Sequence, residues 1–89
     1  MKYINKKLKI EKVDINNIAK KYNTPTYCYS YEQLKNKIDN FKKSFKSFSP
    51  LICFSVKSNT NLDLIREIKK FGLGADVVSV GELMMAIKA

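Results

Sequence analysis

Two short apolar runs, LICFSV at 51–56 and DVVSV at 76–80, constrain this 89-residue chain more than any other feature. Each is continuous rather than alternating, the pattern of a strand covered on both faces. Each is followed by a polar stretch and then by apolar residues at helical spacing. After the first run, Ser58-Asn59-Thr60-Asn61 supplies helix-capping residue types, and Leu62, Leu64, Ile65, Ile68 and Phe71 form a stripe. Lys69 and Lys70 suit the negative end of that helix, and Gly72 is placed to stop it. After the second run, Ser79 and Glu82 have capping-box spacing and GELMMAIKA opens a further helix. Strand, loop, helix, glycine turn, strand, helix predicts an α/β fold with parallel pairing through a right-handed crossover. Two such units neither close a barrel nor cover both faces of a sheet, and no capping glycine or proline precedes Ala89. The expectation is the front of a larger α/β protein, truncated after about two βα units.

The residues ahead of these units read more simply. Positions 1–13 form an extended, alternating arm through Tyr3, Ile4, Leu8, Ile10 and Val13. Asp14 can cap a short helix with Ile15, Ile18, Ala19 and Tyr22 on one face, ended by Asn23-Thr24-Pro25 because the residue before proline is pushed out of the α region. TYCYS at 26–30 has the β-branched and aromatic content of a strand. Ser30 and Gln33 make a second capping box, and Leu34, Ile38, Phe41 and Phe45 a stripe on an amphipathic helix broken by Ser49-Pro50. Its other face carries Lys35, Lys37, Lys42, Lys43 and Lys46. The Phe stripe reads as core packing.

Composition narrows the function classes. With 45% hydrophobic and 11% aromatic residues the chain is globular in character. It has no run of the roughly 18–20 apolar residues that a membrane span needs, and its N-terminus lacks the apolar stretch of a signal peptide. The expectation is a cytoplasmic protein without a membrane partner. Cys28 and Cys53, with no histidine and no CxxC, read as two buried free thiols, and no metal site is expected. The net charge of +9 invites a nucleic-acid interpretation. Arg66 is the only arginine among seventeen basic residues, however, and the lysines are spread in doublets at solvated helix positions. Arginine forks are what base and phosphate recognition favours, so no nucleic-acid partner is expected.

Lys57 is the lysine that does not fit a solvated face. It follows a buried strand, and in (β/α)-type folds the carboxyl ends of strands face the active-site mouth. A lysine partly walled by apolar residues there offers the free amine that carbonyl chemistry needs. An ordinary strand-end lysine reaching to water is the plain alternative. Asp76, at the head of the second run, and Glu82, at the start of the next helix, are the acids nearest in the pattern. As plain alternatives, Asp76 is a strand-start residue and Glu82 a capping residue. GLG at 72–74 follows a helix and precedes a strand, the wrong order for a phosphate-binding turn.

TPTYCYS, a helix, ICFSVKSNTNL and then GLGADVVSVGEL, in that order, closely resemble the N-terminal part of the diaminopimelate decarboxylase family over residues 22 to 89. These are pyridoxal-phosphate (PLP) enzymes with an alanine-racemase-like barrel. The most specific parts are VKSN, where A-V-K-A-N is usual, and the G-A-D-V-V-S-x-G-E block. Ser58 stands where Ala or Cys is common, and Val80 where Gly or Lys is common. The resemblance implies the N-terminal portion of a PLP-binding (β/α)8 TIM-type barrel, with residues 1–25 an arm and short helix and 26–89 the start of the barrel domain. It implies Lys57 as the catalytic residue holding PLP by a Schiff base, with Asp76 and Glu82 as cofactor-binding neighbours. The ring would serve as electron sink for decarboxylation of meso-2,6-diaminopimelate to L-lysine and CO2. It also implies a small-molecule amino-acid substrate and a homodimer for the full-length enzyme. The family's stacking histidine, glycine-rich phosphate loop and C-terminal β domain are expected beyond residue 89, leaving the 89 residues alone inactive and marginally folded.

Related readings remain. Decarboxylases of the same fold acting on ornithine, arginine or carboxynorspermidine share the lysine strand, but the lead-in TPTYCYS and GADVVSVGE favour the first reading. An alanine racemase typically follows its lysine with A-N-A-Y-G, where this chain has SNTNL. A single-barrel, non-catalytic PLP-binding protein lacks the long lead-in. A small basic interaction module without catalysis is the reading from another class; salt-dependent nucleic-acid binding would mark it.

Overall fold

The computed structural model describes residues 1–45 and 47–89; Lys46, placed above on the polar face of a helix, lies outside them. The chain divides into two compact units, Met1–Asn40 and Phe41–Ala89.

In the first unit the expected extended arm folds back twice. Strands β1 (Lys2–Ile4), β2 (Lys7–Ile10) and β3 (Val13–Asp14) form an antiparallel meander in the order β1-β2-β3, with Tyr3 opposite Leu8 and Ile10 opposite Val13. The first turn is the two residues Asn5 and Lys6, at φ of 50° and 61°. Positive φ at both positions matches the right-handed twist of the flanking strands. Asp14 then caps helix α1 (Ile15–Tyr22): its Oδ1 accepts from the Asn16 N–H at 2.9 Å. The helix packs on β2 and β3 through the half-buried Ile15, Ile18 and Ala19, and ends before Pro25 as expected.

TYCYS does not form a strand. Residues 26–30 pair with nothing in a ladder, and Tyr27 and Tyr29 are exposed. Strand propensity needs a neighbouring edge to act on, and the meander does not extend to this segment. The segment leads directly into helix α2 (Tyr31–Lys43), where the Gln33 N–H donates to Ser30 Oγ at 3.1 Å. A second acceptor comes from far along the chain. Glu11 Oε1 accepts from the Ser30 hydroxyl at 2.8 Å and from the Glu32 N–H at 2.8 Å. These bonds, the Glu32 amide first and the Ser30 hydroxyl next, hold the Glu11 carboxyl below the usual carboxylate range.

In the second unit, strand β4 (Cys53–Ser55) and strand β5 (Gly74–Asp76) pair in parallel, with Cys53 opposite Gly74, Phe54 opposite Ala75 and Ser55 opposite Asp76. Helix α3 (Leu62–Lys70) connects them and helix α4 (Val80–Lys88) follows. This is the βαβα order expected, with two boundaries corrected. The first strand is shorter than LICFSV, because the chain enters a 3-10 turn at Val56–Ser58. The second strand lies earlier than DVVSV, so Asp76 closes the strand rather than heading it. Capping explains the shift. The Val78 N–H donates to Glu82 Oε2 at 3.0 Å and the Glu82 N–H to Ser79 Oγ at 3.2 Å, so these groups start α4 instead of extending a ladder.

The buried core of this unit is Val56, Ile65 and Ile68. Ile65 and Ile68 share one face of α3 and line a cleft with Phe54, Ala75 and Ala86. Neither strand is covered on both faces. Cys53 is exposed, as is Cys28 in the first unit, so both thiols are free but not buried. The Phe stripe is also less covered than expected: Phe41 is exposed and meets the half-buried Phe45 edge to face, with ring centroids 5.1 Å apart. No helix of the described residues is long and apolar enough to cross a membrane.

Candidate active site

A parallel strand pair delivers the residues at and after the ends of β4 and β5 to one edge of the sheet, and the sequence candidates lie on the segments that leave this edge. Because Ser55 is in register with Asp76, the Asp76 carboxylate leaves β5 level with the end of β4. Lys57 comes two residues later, in the 3-10 turn. The boundary correction therefore strengthens the pairing: a strand-head Asp76 would have sat at the far end of the sheet.

The turn that carries Lys57 is fixed on both sides. Val56 before it is fully buried at 0% exposure, anchoring the backbone into the core. After it, the Ser58 hydroxyl donates to the Ser55 carbonyl at 2.7 Å and the Asn59 N–H to the Val56 carbonyl at 3.0 Å. The following asparagines continue the series. Asn59 Oδ1 accepts from the Asn61 N–H at 2.9 Å, and Asn61 Oδ1 accepts from the Leu64 N–H at 3.0 Å as the N-cap of α3. The polar loop is thus a hydrogen-bonded link from the lysine to the helix. Helix α4 also packs against the 3-10 turn.

Lys57 itself is exposed, not walled by apolar side chains as expected. Its side chain makes no hydrogen bond or ion pair among the described residues, and the same holds for the exposed Asp76 carboxylate. Glu82 differs. Half-buried, with one oxygen accepting from the Val78 N–H, it is committed to the start of α4. The segments leaving this edge therefore carry one amine and one carboxylate without a partner among the described residues, and a second acid held in a structural bond at the start of α4. A primary amine there can add to a carbonyl carbon, and a carboxylate there can orient or exchange protons with it. The sequence marks Ser58 only as a capping-type residue and a departure from the family pattern, without a role at the site. A serine three residues after a strand's last carbonyl is the available signal, since Ser hydroxyls bond nearby backbone oxygens.

Two βα units with a lysine just past a strand's carboxyl end define the class, a portion of an α/β fold bearing a candidate carbonyl-capturing amine. Residues 31–89 match the family described as pyridoxal-dependent decarboxylase, pyridoxal binding domain, and the chain belongs to this family. Among curated relatives, the diaminopimelate decarboxylase of Helicobacter pylori (strain J99) is 41% identical over 68 residues, 76% of this chain and 17% of that protein. That of Aquifex aeolicus is 38% identical over 89 residues, all of this chain and 21% of that protein. The crystal structure of diaminopimelate decarboxylase from M. jannaschii, in complex with L-lysine, matches with a TM-score of 0.80 and 33% identity. The match covers 94% of this chain and 22% of that one. The fold is accordingly the N-terminal portion of a TIM-type barrel. The chain spans about a fifth of the length of these relatives.

Proposed function

We propose that the chain is the N-terminal part of a diaminopimelate decarboxylase, with residues 26–89 opening its barrel domain, and that Lys57 is its PLP-bearing lysine. The observation that carries this is the placement of an uncommitted amine and an uncommitted carboxylate at the carboxyl ends of two register-paired strands. The relatives' shared name and the L-lysine bound in the M. jannaschii structure support the substrate. Lysine is what remains when diaminopimelate loses one carboxylate as CO2.

The residues fit the covalent end of the cofactor. When bound, PLP supplies an electron-withdrawing ring that stabilises the carbanion left by CO2. Lys57 Nζ would hold the cofactor's aldehyde carbon, and this amine would carry a proton at the reacting end. Asp76 stands beside it as the acid that orients the amine. Glu82 acts one step removed, by fixing the start of α4 next to the lysine's turn. A barrel completed by further βα units would cover Leu83, Met84 and Ile87, which α4 leaves exposed. The 89 residues by themselves are not a competent enzyme in this reading; the competent form is a homodimer of the full-length cytoplasmic protein.

The test uses the full-length protein loaded with PLP, with and without Lys57→Ala. Borohydride reduction should fix the cofactor on Lys57, as located by mass spectrometry. The variant should lose that label and about 10²–10⁴-fold in CO2 release from diaminopimelate. Faster CO2 release from ornithine, arginine or carboxynorspermidine would move the assignment to another decarboxylase of this fold. A label on a different lysine would remove its basis.

A further inference from the structure

We propose that Ser58 is a positioning residue for Lys57, its hydroxyl locking the 3-10 turn that carries the lysine off the end of β4. The proposal rests on the reading of Lys57 as the PLP-bearing lysine. Donor and acceptor bracket that lysine: Ser58 Oγ lies one residue after it and the Ser55 carbonyl, 2.7 Å away, two residues before.

The location gives this bond its importance. Ser55 is the last residue of β4, the point where ladder hydrogen bonding to β5 ceases. Beyond it the backbone is held only by a three-residue 3-10 turn, whose hydrogen-bond geometry is intrinsically poorer than that of an α-helix. Buried Val56 pins the chain ahead of the lysine, and the Ser58 hydroxyl closes the turn behind it. A lysine side chain has four rotatable bonds, and Lys57 has no partner among the described residues to fix them. The direction in which its backbone points is therefore what the protein can set before a reaction begins. Holding a reacting group in its attack direction is a recognised source of rate. Ser58 is exposed and its bond to the Ser55 carbonyl lies at the surface, so the hydroxyl is not needed to satisfy a buried group. Positioning, rather than core stability, is the role this geometry leaves for it.

The experiment measures PLP capture by the full-length apoprotein in wild type, Ser58→Ala and Ser58→Thr. In capture the lysine nitrogen joins the aldehyde carbon as C=N and the aldehyde oxygen leaves as water. Borohydride then delivers hydride to that carbon, giving a stable secondary amine that mass spectrometry locates. We expect the Ser58→Ala label still on Lys57, with capture slowed about three- to tenfold, the equivalent of one ordinary hydrogen bond. Ser58→Thr, which keeps the hydroxyl, should recover most of the rate. Labelling of the exposed Lys43 should be the same in all three proteins.

Equal capture rates in wild type and Ser58→Ala would overturn the role of Ser58 while leaving Lys57 as the cofactor lysine. Equal slowing in both variants would overturn it too, since the hydroxyl would not be the operative group. Collapse of the thermal midpoint in Ser58→Ala would reassign the bond to structure. A wild-type label absent from Lys57 would instead overturn the reading on which the proposal stands.

Discussion

Replacing Gly74 with alanine tests whether the close approach of β4 and β5 sets the geometry of the candidate site. Gly74 faces Cys53 in the parallel register, and its N–H donates to the Ile52 carbonyl at 2.9 Å. A Cβ built at Gly74 would lie 2.8 Å from Cys53 Sγ, a separation that real Cβ atoms essentially never show. Either the sulfur turns away or the strands part. Overpacking of this kind costs about 1–3 kcal/mol. Against it stands the lost freedom of glycine in the unfolded chain, which favours alanine by about 0.4–1 kcal/mol. The net expectation is destabilisation of about 1–2 kcal/mol.

Removing the sulfur should reverse the sign. With Cys53→Ala, the nearest atoms to the new Cβ are Leu51 Cδ1 at 3.8 Å and the residue 53 Cβ at 3.9 Å, both ordinary contacts. Gly74→Ala should then be neutral or slightly stabilising, giving a coupling of about 1–3 kcal/mol across the double-mutant cycle. Native-state hydrogen exchange of the residue 74 and 75 amides in the full-length protein reads the local opening directly. PLP capture at Lys57 should slow in the single variant and recover in the double, because parting the strands also moves Asp76 away from the end of β4. A coupling below about 0.5 kcal/mol would refute the reasoning, since distant, independent sites already show that much scatter.

The two acids near Lys57 should separate by assay. Asp76→Asn should leave stability within about 0.5 kcal/mol, since its side chain has no partner among the described residues, yet slow decarboxylation. Glu82→Ala should cost about 0.5–1.5 kcal/mol by orphaning the Val78 N–H, and Glu82→Gln should retain most of that stability and of the activity. Equal activity losses in Asp76→Asn and Glu82→Gln would give Glu82 a chemical role instead. A third prediction concerns pH. The Glu11 carboxyl is held below its usual 4.5, so the stability it lends is fully present above that value and is lost as pH falls through the lowered one. Exchange of the Glu32 amide should accelerate in that acidic window, and Glu11→Gln should remove the acceleration.

The pattern of elements was legible because it depends on local chemistry. Asp14, Ser30, Asn61 and Ser79 all accept the backbone N–H that their position predicts, and the helices follow from them. What was not legible depended on partners far along the chain or on competition between neighbouring elements. TYCYS has strand composition but no edge to pair with, and Glu11, remote from α2 in sequence, serves its first turn. DVVSV shows the same competition at short range. Its valines favour a strand, yet the Ser79 and Glu82 cap takes their backbone for α4. That competition places Asp76 at the end of a strand rather than its head. Residue type and pattern thus pointed to Lys57 and Asp76 as candidates, while the position of Asp76 in its strand was hidden by a boundary error of a few residues.

An accounting of the eight acids shows why Asp76, rather than another, is the partner to test. Asp14 and Glu11 accept from backbone amides at the starts of α1 and α2, and Glu82 does so at α4. Asp39, Asp63 and Glu67 pair with Lys35, Arg66 and Lys70 one turn away on their own helices. Glu32 lies in the first turn of α2, where a negative charge favours the helix dipole. Each of these seven has a local reason to exist that requires no ligand. Asp76 has none: it caps no helix, pairs with no cation among the described residues, and ends a strand, an element in which aspartate is disfavoured. The basic side chains offer no such contrast, because several exposed lysines besides Lys57 have no partner among the described residues. For them position decides, and Lys57 is the one delivered by a strand to the edge where that acid stands.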